Sequence, residues 1–143
     1  MLLSLLLMLF PLAHAIPLHP PPLAYVAACV GTDVSPELLR AIAMVESDER
    51  DTAIGDDGIS IGRFQLNERF HDLRARSYGE YDPRDPYQAA YVAARILQDD
   101  YTALGSWRLA IAAYRQGIGG VRSHGAIMWY VNRVCVKISC NLP

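Results

Sequence analysis

The 143-residue sequence predicts an all-α globular domain. Three observations carry that expectation. Apolar residues recur mostly at helical spacing, Ser-Pro and Asp-Pro pairs sit where helices start, and glycines sit where they stop. Hydrophobic residues make up 52% of the chain, enough for one core, and the length suits one domain rather than two.

The elements follow in order. Leu23 to Val30 is a short apolar helix punctuated by Gly31. Ser35-Pro36 opens the next, with Ser as N-cap, Pro in the first helical position and Glu37 in the first turn. Its apolar face runs through Leu38, Leu39, Ile42 and Val45 and ends near Ser47. Asp48 to Gly58, rich in Asp and Gly, reads as a loop. Ile59 to Leu66 fits either a short strand pair or a loop, and Asn67 to Arg76 a short amphipathic helix. Asp85-Pro86 starts a long helix, with Gln88 placed to reach back as in a capping box. Ala89, Ala93, Ile96 and Leu97 face inward, and Gly105 stops the helix after Leu104. Ser106 is expected to cap a helix carrying Leu109, Ala110, Ala113 and Tyr114. Gly117, Gly119 and Gly120 are expected to break the chain before a last helix from about Ser123 to Val134.

The N-terminus carries a different signal. Leu2 to Phe10 is an apolar run broken only by Ser4, and Ala13-His14-Ala15 is a small-x-small cleavage site. Residues 1–15 therefore read as a signal peptide, with an uncleaved anchor as the alternative, and residues 16–22 as a proline-rich lead-in to a domain over 23–143. An exported protein of the periplasm or cell envelope is expected. The net charge of −2 gives no basic stripe for nucleic acid. Cys29, Cys135 and Cys140 are an odd set for an oxidising compartment. Cys29 bridged to Cys135 or Cys140 would staple the domain ends; Cys135 to Cys140 is the competing pair. The four histidines, at 14, 19, 71 and 124, show no metal-ligand spacing.

Several polar residues stand out. Glu46 follows Ile42 by four and Leu39 by seven, which puts a carboxylate on the apolar side of its helix. Such a group is either paired or held at a raised pKa, as a general acid needs. Spacing alone favours the plainer reading, a solvated helix end paired with Arg50. Asp56 and Asp57 offer a second carboxylate for glycoside chemistry, although Asp-Asp-Gly is also an ordinary turn. Gln65 is a polar amide in the apolar run from Ile61 to Leu66, and Tyr114 ends an alanine-rich helix before a glycine cluster.

Taken together, three ordered segments are more specific. Val45-Glu46-Ser47, Gly62-Arg63-Phe64-Gln65-Leu66-Asn67 and Ala113-Tyr114-Arg115-Gln116-Gly117 resemble the motifs of the lytic transglycosylases of goose-lysozyme-like fold. The separations, 19 positions from Glu46 to Gln65 and 49 from Gln65 to Tyr114, agree with it. Asp57-Gly58 through Asn67 looks more like the small single-domain members that open the wall for secretion and pilus machinery. The resemblance implies a lysozyme-like all-α domain with Glu46 as catalytic acid/base. It implies Gln65, Tyr114 and Tyr130 as cleft residues, and Ser47 as the residue that helps hold the Glu. It also implies a peptidoglycan glycan strand as substrate, a monomer, and no metal or cofactor.

Two arginines depart from the family pattern. Arg63 and Arg115 replace neutral residues, and both are candidates for binding peptide or lactyl carboxylates of the substrate. The implied reaction is a lyase step that leaves a 1,6-anhydro ring on MurNAc. The alternatives are a lysozyme-type hydrolase using Asp56 or Asp57 to activate water, and a non-catalytic wall-binding protein on the same fold.

Overall fold

The computed structural model describes residues 23–139 and 142. The expected signal peptide and proline-rich lead-in, and Cys140, lie outside them. Among the described residues there are six helices and one small sheet, in agreement with the all-α expectation.

Helix α1 (Leu23–Cys29) and helix α2 (Pro36–Ser47) begin the core. Ser35 caps α2 as expected, its side chain accepting from the Leu38 N–H at 3.2 Å. Leu38, Leu39 and Ile42 are wholly buried. The helix ends because Asp48 turns left-handed (φ 53°), and the Asp48 and Glu49 amides bond back to Met44 and Ala43.

The stretch from 48 to 67 is more ordered than a loop. It holds β1 (Ile54–Gly55), a 3-10 turn (Asp56–Gly58), β2 (Ser60–Ile61) and β3 (Leu66–Asn67), joined antiparallel in the order β1-β2-β3. Ile54 pairs with Ile61, and Ile61 with Leu66. Of the two readings for 59–66 the strand pair is the one that forms. Gly62 makes the close turn: its φ is +76°, and a Cβ there would sit 1.9 Å from the Pro83 carbonyl oxygen.

The amphipathic helix expected over 67–76 is instead a 3-10 turn (Glu68–Phe70) followed by α3 (His71–Tyr78). No residue of α3 is buried, because it lies against α4 as an outer cover. Helix α4 (Pro86–Leu104) is capped by Asp85, which accepts from both the Tyr87 and Gln88 amides. Gln88 does not close a capping box; its amide oxygen takes the Asp82 N–H instead. Ser106 occupies the N-cap position of α5 (Trp107–His124) without a side-chain cap bond. The α4–α5 corner is closed by Tyr101 stacked on Trp107 at 4.2 Å.

Of the three glycines expected to break α5, only Gly117 leaves helical geometry, with φ 76° and ψ 156°. Gly119 and Gly120 lie in the turns that follow and carry the helix on to His124, since glycine permits a break without compelling one. The last helix, α6 (Met128–Lys137), therefore starts later than expected. Its start is fixed by Gln116, whose side chain bonds the Gly125 carbonyl and the Ile127 amide, both at 2.8 Å.

The core lies where α4 packs on α1 and α5, and α6 on α5 and α2. Ala89, Ala90, Ala93 and Ala94 of α4 and Ala110, Ala112 and Ala113 of α5 are all buried, small side chains that let two long helices approach closely. Cys29 is buried as a thiol whose pKa burial pushes up to about 11, and it is not bridged to Cys135.

Gly62→Ala is expected to cost about 3 kcal/mol or more, through a left-handed strain and a backbone collision together. Urea denaturation measures it; a loss under about 1 kcal/mol would mean that the turn at 62 can shift freely.

Candidate active site

Glu46 occupies the last turn of α2, where the apolar face of the helix meets the surface. Its carboxylate does not pair with Arg50, whose guanidinium donates to the Ser47 carbonyl. Instead Glu46 accepts a short hydrogen bond from the Tyr130 hydroxyl on α6. Burial raises the Glu46 pKa above the usual carboxylate value. The Tyr130 hydrogen bond and the charges of Arg115 and Arg133 oppose that rise, and the charge of Asp56 adds to it.

Tyr130 and Tyr114 are both pushed well above the ordinary tyrosine pKa, first by burial and then by the charge of Glu46. Tyr114 reaches across from α5 and donates to the Phe64 carbonyl at 2.9 Å. That bond ties the helix carrying Tyr114 to the turn carrying Gln65. Gln65 is itself left-handed (φ 47°), and its amide donates to the Gly62 carbonyl at 2.9 Å. Gly55 leaves room for it, since a Cβ there would sit 2.2 Å from the Gln65 Oε1.

A cleft of about 380 Å³ opens between the sheet, α3, α4 and α5. Gln65, Tyr114, Asp56, Asn67, Arg74 and Asp100 supply its polar lining, with Leu66, Phe70, Leu73 and Ile96 among the apolar groups. Glu46 lies next to this cleft, close enough to act electrostatically on Tyr114 and to feel Asp56. The fold thus brings Glu46, Gln65, Tyr114 and Tyr130 together.

Ser47 does not touch the Glu46 carboxylate. Its buried hydroxyl donates to the Arg63 carbonyl at 2.9 Å and accepts from the Arg50 amide at 3.0 Å. It fixes the end of α2 to the sheet, and so positions Glu46 through the backbone. Asp57 is exposed and outside the cleft lining, whereas Asp56 lines the cleft and accepts from the Ser60 hydroxyl at 2.5 Å. Arg63 is not among the residues that line the cleft. Its guanidinium grips both Asp51 oxygens, at 2.5 and 2.8 Å, and donates to the Tyr25 hydroxyl at 2.7 Å. Arg115 remains exposed.

Sequence reasoning missed Asn67, Arg74 and Asp100. Asp100 had a signal: it follows Ile96 by four and Ala93 by seven, the spacing of the buried face. Arg74 had none.

In comparison with known proteins, the family model for the transglycosylase SLT domain matches residues 27–127. No curated protein matches the chain in a sequence search.

The raised pKa of Glu46 has a consequence for stability. The folded state keeps the Glu46 proton to higher pH than the unfolded chain does. Its contribution is therefore full below the ordinary carboxylate pKa and is lost as pH rises through the raised value. Glu46→Gln is expected to stabilise the protein at pH 7 by about 1 kcal/mol, roughly 3–5 °C in Tm, with a smaller gain at pH 4. Calorimetric scans at the two pH values measure it, and an equal or reversed gain would show that Glu46 is not held against its charge.

Proposed function

The chain belongs to the SLT transglycosylase family, a peptidoglycan-lytic family, and from that premise we propose that it is a lytic transglycosylase with Glu46 as its acid/base. The observation that carries the reading is the setting of Glu46: a carboxyl group of raised pKa, hydrogen-bonded by Tyr130, beside a cleft lined by Gln65 and Tyr114.

Glu46 in its protonated form gives its proton to the glycosidic oxygen between MurNAc and GlcNAc, and the bond to the MurNAc anomeric carbon breaks. The positive charge that develops there is relieved by the substrate's own N-acetyl group, so no second carboxylate is required. Glu46, now ionised, takes the proton from the MurNAc 6-hydroxyl as that oxygen closes on the anomeric carbon. The product carries a 1,6-anhydro ring and Glu46 regains its proton. The Tyr130 hydrogen bond favours the ionised form of Glu46, and burial favours the protonated form. The balance between them suits a group that must give and take one proton in a single cycle.

A hydrolase is the second reading, favoured by Asp56, whose position in the cleft lining and whose charge on Glu46 put a second carboxylate near the chemistry. Its Oδ2 is engaged by Ser60, which supports the lyase. The substrate and the apolar run at the N-terminus together support action outside the cytoplasm, in the cell envelope.

Digestion of purified peptidoglycan followed by mass spectrometry separates the two readings: anhydro ends are expected, and reducing ends that have gained water would establish the hydrolase. Glu46→Gln is expected to lower kcat roughly a thousandfold with little change in KM. Wild-type kcat should fall as pH rises through the raised Glu46 pKa, because the proton donor is lost. A Glu46→Gln variant that clears peptidoglycan as well as wild type would remove the proposal.

A further inference from the structure

Asp100, on α4, is 7% exposed and lines the same cleft as Tyr114 and Gln65. Its Oδ2 has no hydrogen-bond partner among the described residues. A buried carboxylate oxygen left without a donor is costly, so a protein rarely keeps one without a use.

The tyrosine hydroxyls near it are committed elsewhere. The Tyr78 hydroxyl of α3 donates to Asp99 at 2.6 Å, and the Tyr114 hydroxyl of α5 to the Phe64 carbonyl at 2.9 Å. An Arg74 N–H takes the Asn67 carbonyl at 2.9 Å, and Arg74 forms no ion pair with Asp100 among the described residues. Asp100 is nonetheless one of the residues that line the cleft.

We propose that Asp100 is a specificity-determining residue of the cleft, whose carboxyl group engages a hydrogen-bond donor of the glycan, either a sugar hydroxyl or an acetamido N–H. This rests on the glycan-cleaving reading above and adds a contact to it. The surroundings support an adaptable contact. Burial, together with the charge of Asp99 and against that of Arg74, pushes the Asp100 pKa up to about 7, so near neutral pH it can either accept or donate. The position is also suited to discrimination, because a substrate lacking the donor leaves a buried polar group unpaired.

The test uses the full chain carrying Glu46→Gln, so that sugars bind without turnover. Calorimetry measures tri-N-acetylchitotriose and cellotriose binding to this parent and to versions with Asp100→Leu or Asp100→Asn. Asp100→Leu is expected to weaken chitotriose at least tenfold while holding or raising Tm, since it removes an unpaired buried group. Asp100→Asn, which keeps a carbonyl acceptor, should fall between. Loss for both sugars identifies a hydroxyl as donor; loss confined to chitotriose identifies the acetamido N–H. With Glu46 intact, Asp100→Leu should raise KM on peptidoglycan and leave kcat nearly unchanged. Parent-like affinity and KM in Asp100→Leu, in an enzyme whose wild type clears peptidoglycan, would overturn this proposal and leave the functional reading standing. So would a fall in Tm with the loss of binding, which marks a structural role. A wild type that neither binds sugar nor clears peptidoglycan would remove the functional reading, and this contact with it.

Discussion

The hydrogen bond from Tyr130 to Glu46 organises this molecule. A carboxylate at the end of a buried helix is disfavoured when charged, and a single hydroxyl from another helix offsets part of that penalty. For the hydroxyl to be there, α6 must pack on α2, and Val131 and Val134 of α6 are buried to make it so. The start of α6 depends in turn on Gln116, which sits just ahead of the Gly117 break in α5. The same helix carries Tyr114, whose hydroxyl holds the turn at Phe64. One interaction at the site thus draws on α2, α5, α6 and the sheet at once.

The segment between α2 and α3 holds its shape by an unusual density of constrained backbone. Asp48, Glu49, Asp56, Asp57 and Gln65 all have positive φ, at 53°, 61°, 50°, 56° and 47°. Each is disfavoured for a residue with a Cβ, and such residues persist only where their surroundings determine them. Around Glu49 those surroundings are a polar network. Arg63 joins Asp51 to Tyr25, Tyr25 donates to Glu49 at 2.9 Å, and Glu49 pairs with Arg40 at 3.4 Å. Burial and the Glu49 hydrogen bond push Tyr25 up to about 12, so it remains a neutral donor at working pH. None of these five residues is among those that line the cleft.

How much of this was legible in the sequence depended on distance along the chain. The caps at Ser35 and Asp85 and the stop at Gly105 are local, and the sequence patterns stated them correctly. The short sheet was half legible, because two-residue strands leave no alternation to read. Glu46 shows the limit of spacing: its helix position suggested a solvated end paired with Arg50, and its actual partner lies 84 residues away. Only the ordered motifs around Gln65 and Tyr114 pointed past that. Arg63 was one candidate for the substrate's carboxylates, and nothing in Gly-Arg-Phe-Gln tells that Asp51 and Tyr25 fold back to meet it. Asp-Asp-Gly was legible as a turn, but not which of its carboxylates would line the cleft: Asp56 does and Asp57 does not.

Glu46 and Asp100 are both buried carboxyl groups of raised pKa beside one cleft, yet their surroundings differ in kind. Glu46 has a fixed donor in Tyr130, and the charges of Arg115 and Arg133 are within reach of it. Its ionised form is disfavoured but accommodated, which is what a group that changes charge during a reaction requires. Asp100 has a like charge in Asp99 beside it, weak relief from Arg74 and an oxygen without a donor among the described residues. The same physical cause, desolvation, thus produces two chemically distinct groups, and the difference lies in whether the protein supplies the partner or leaves it to come from outside. On the proposed reading, the reacting end of the cleft is at Glu46 and the α4 side is where a sugar is recognised.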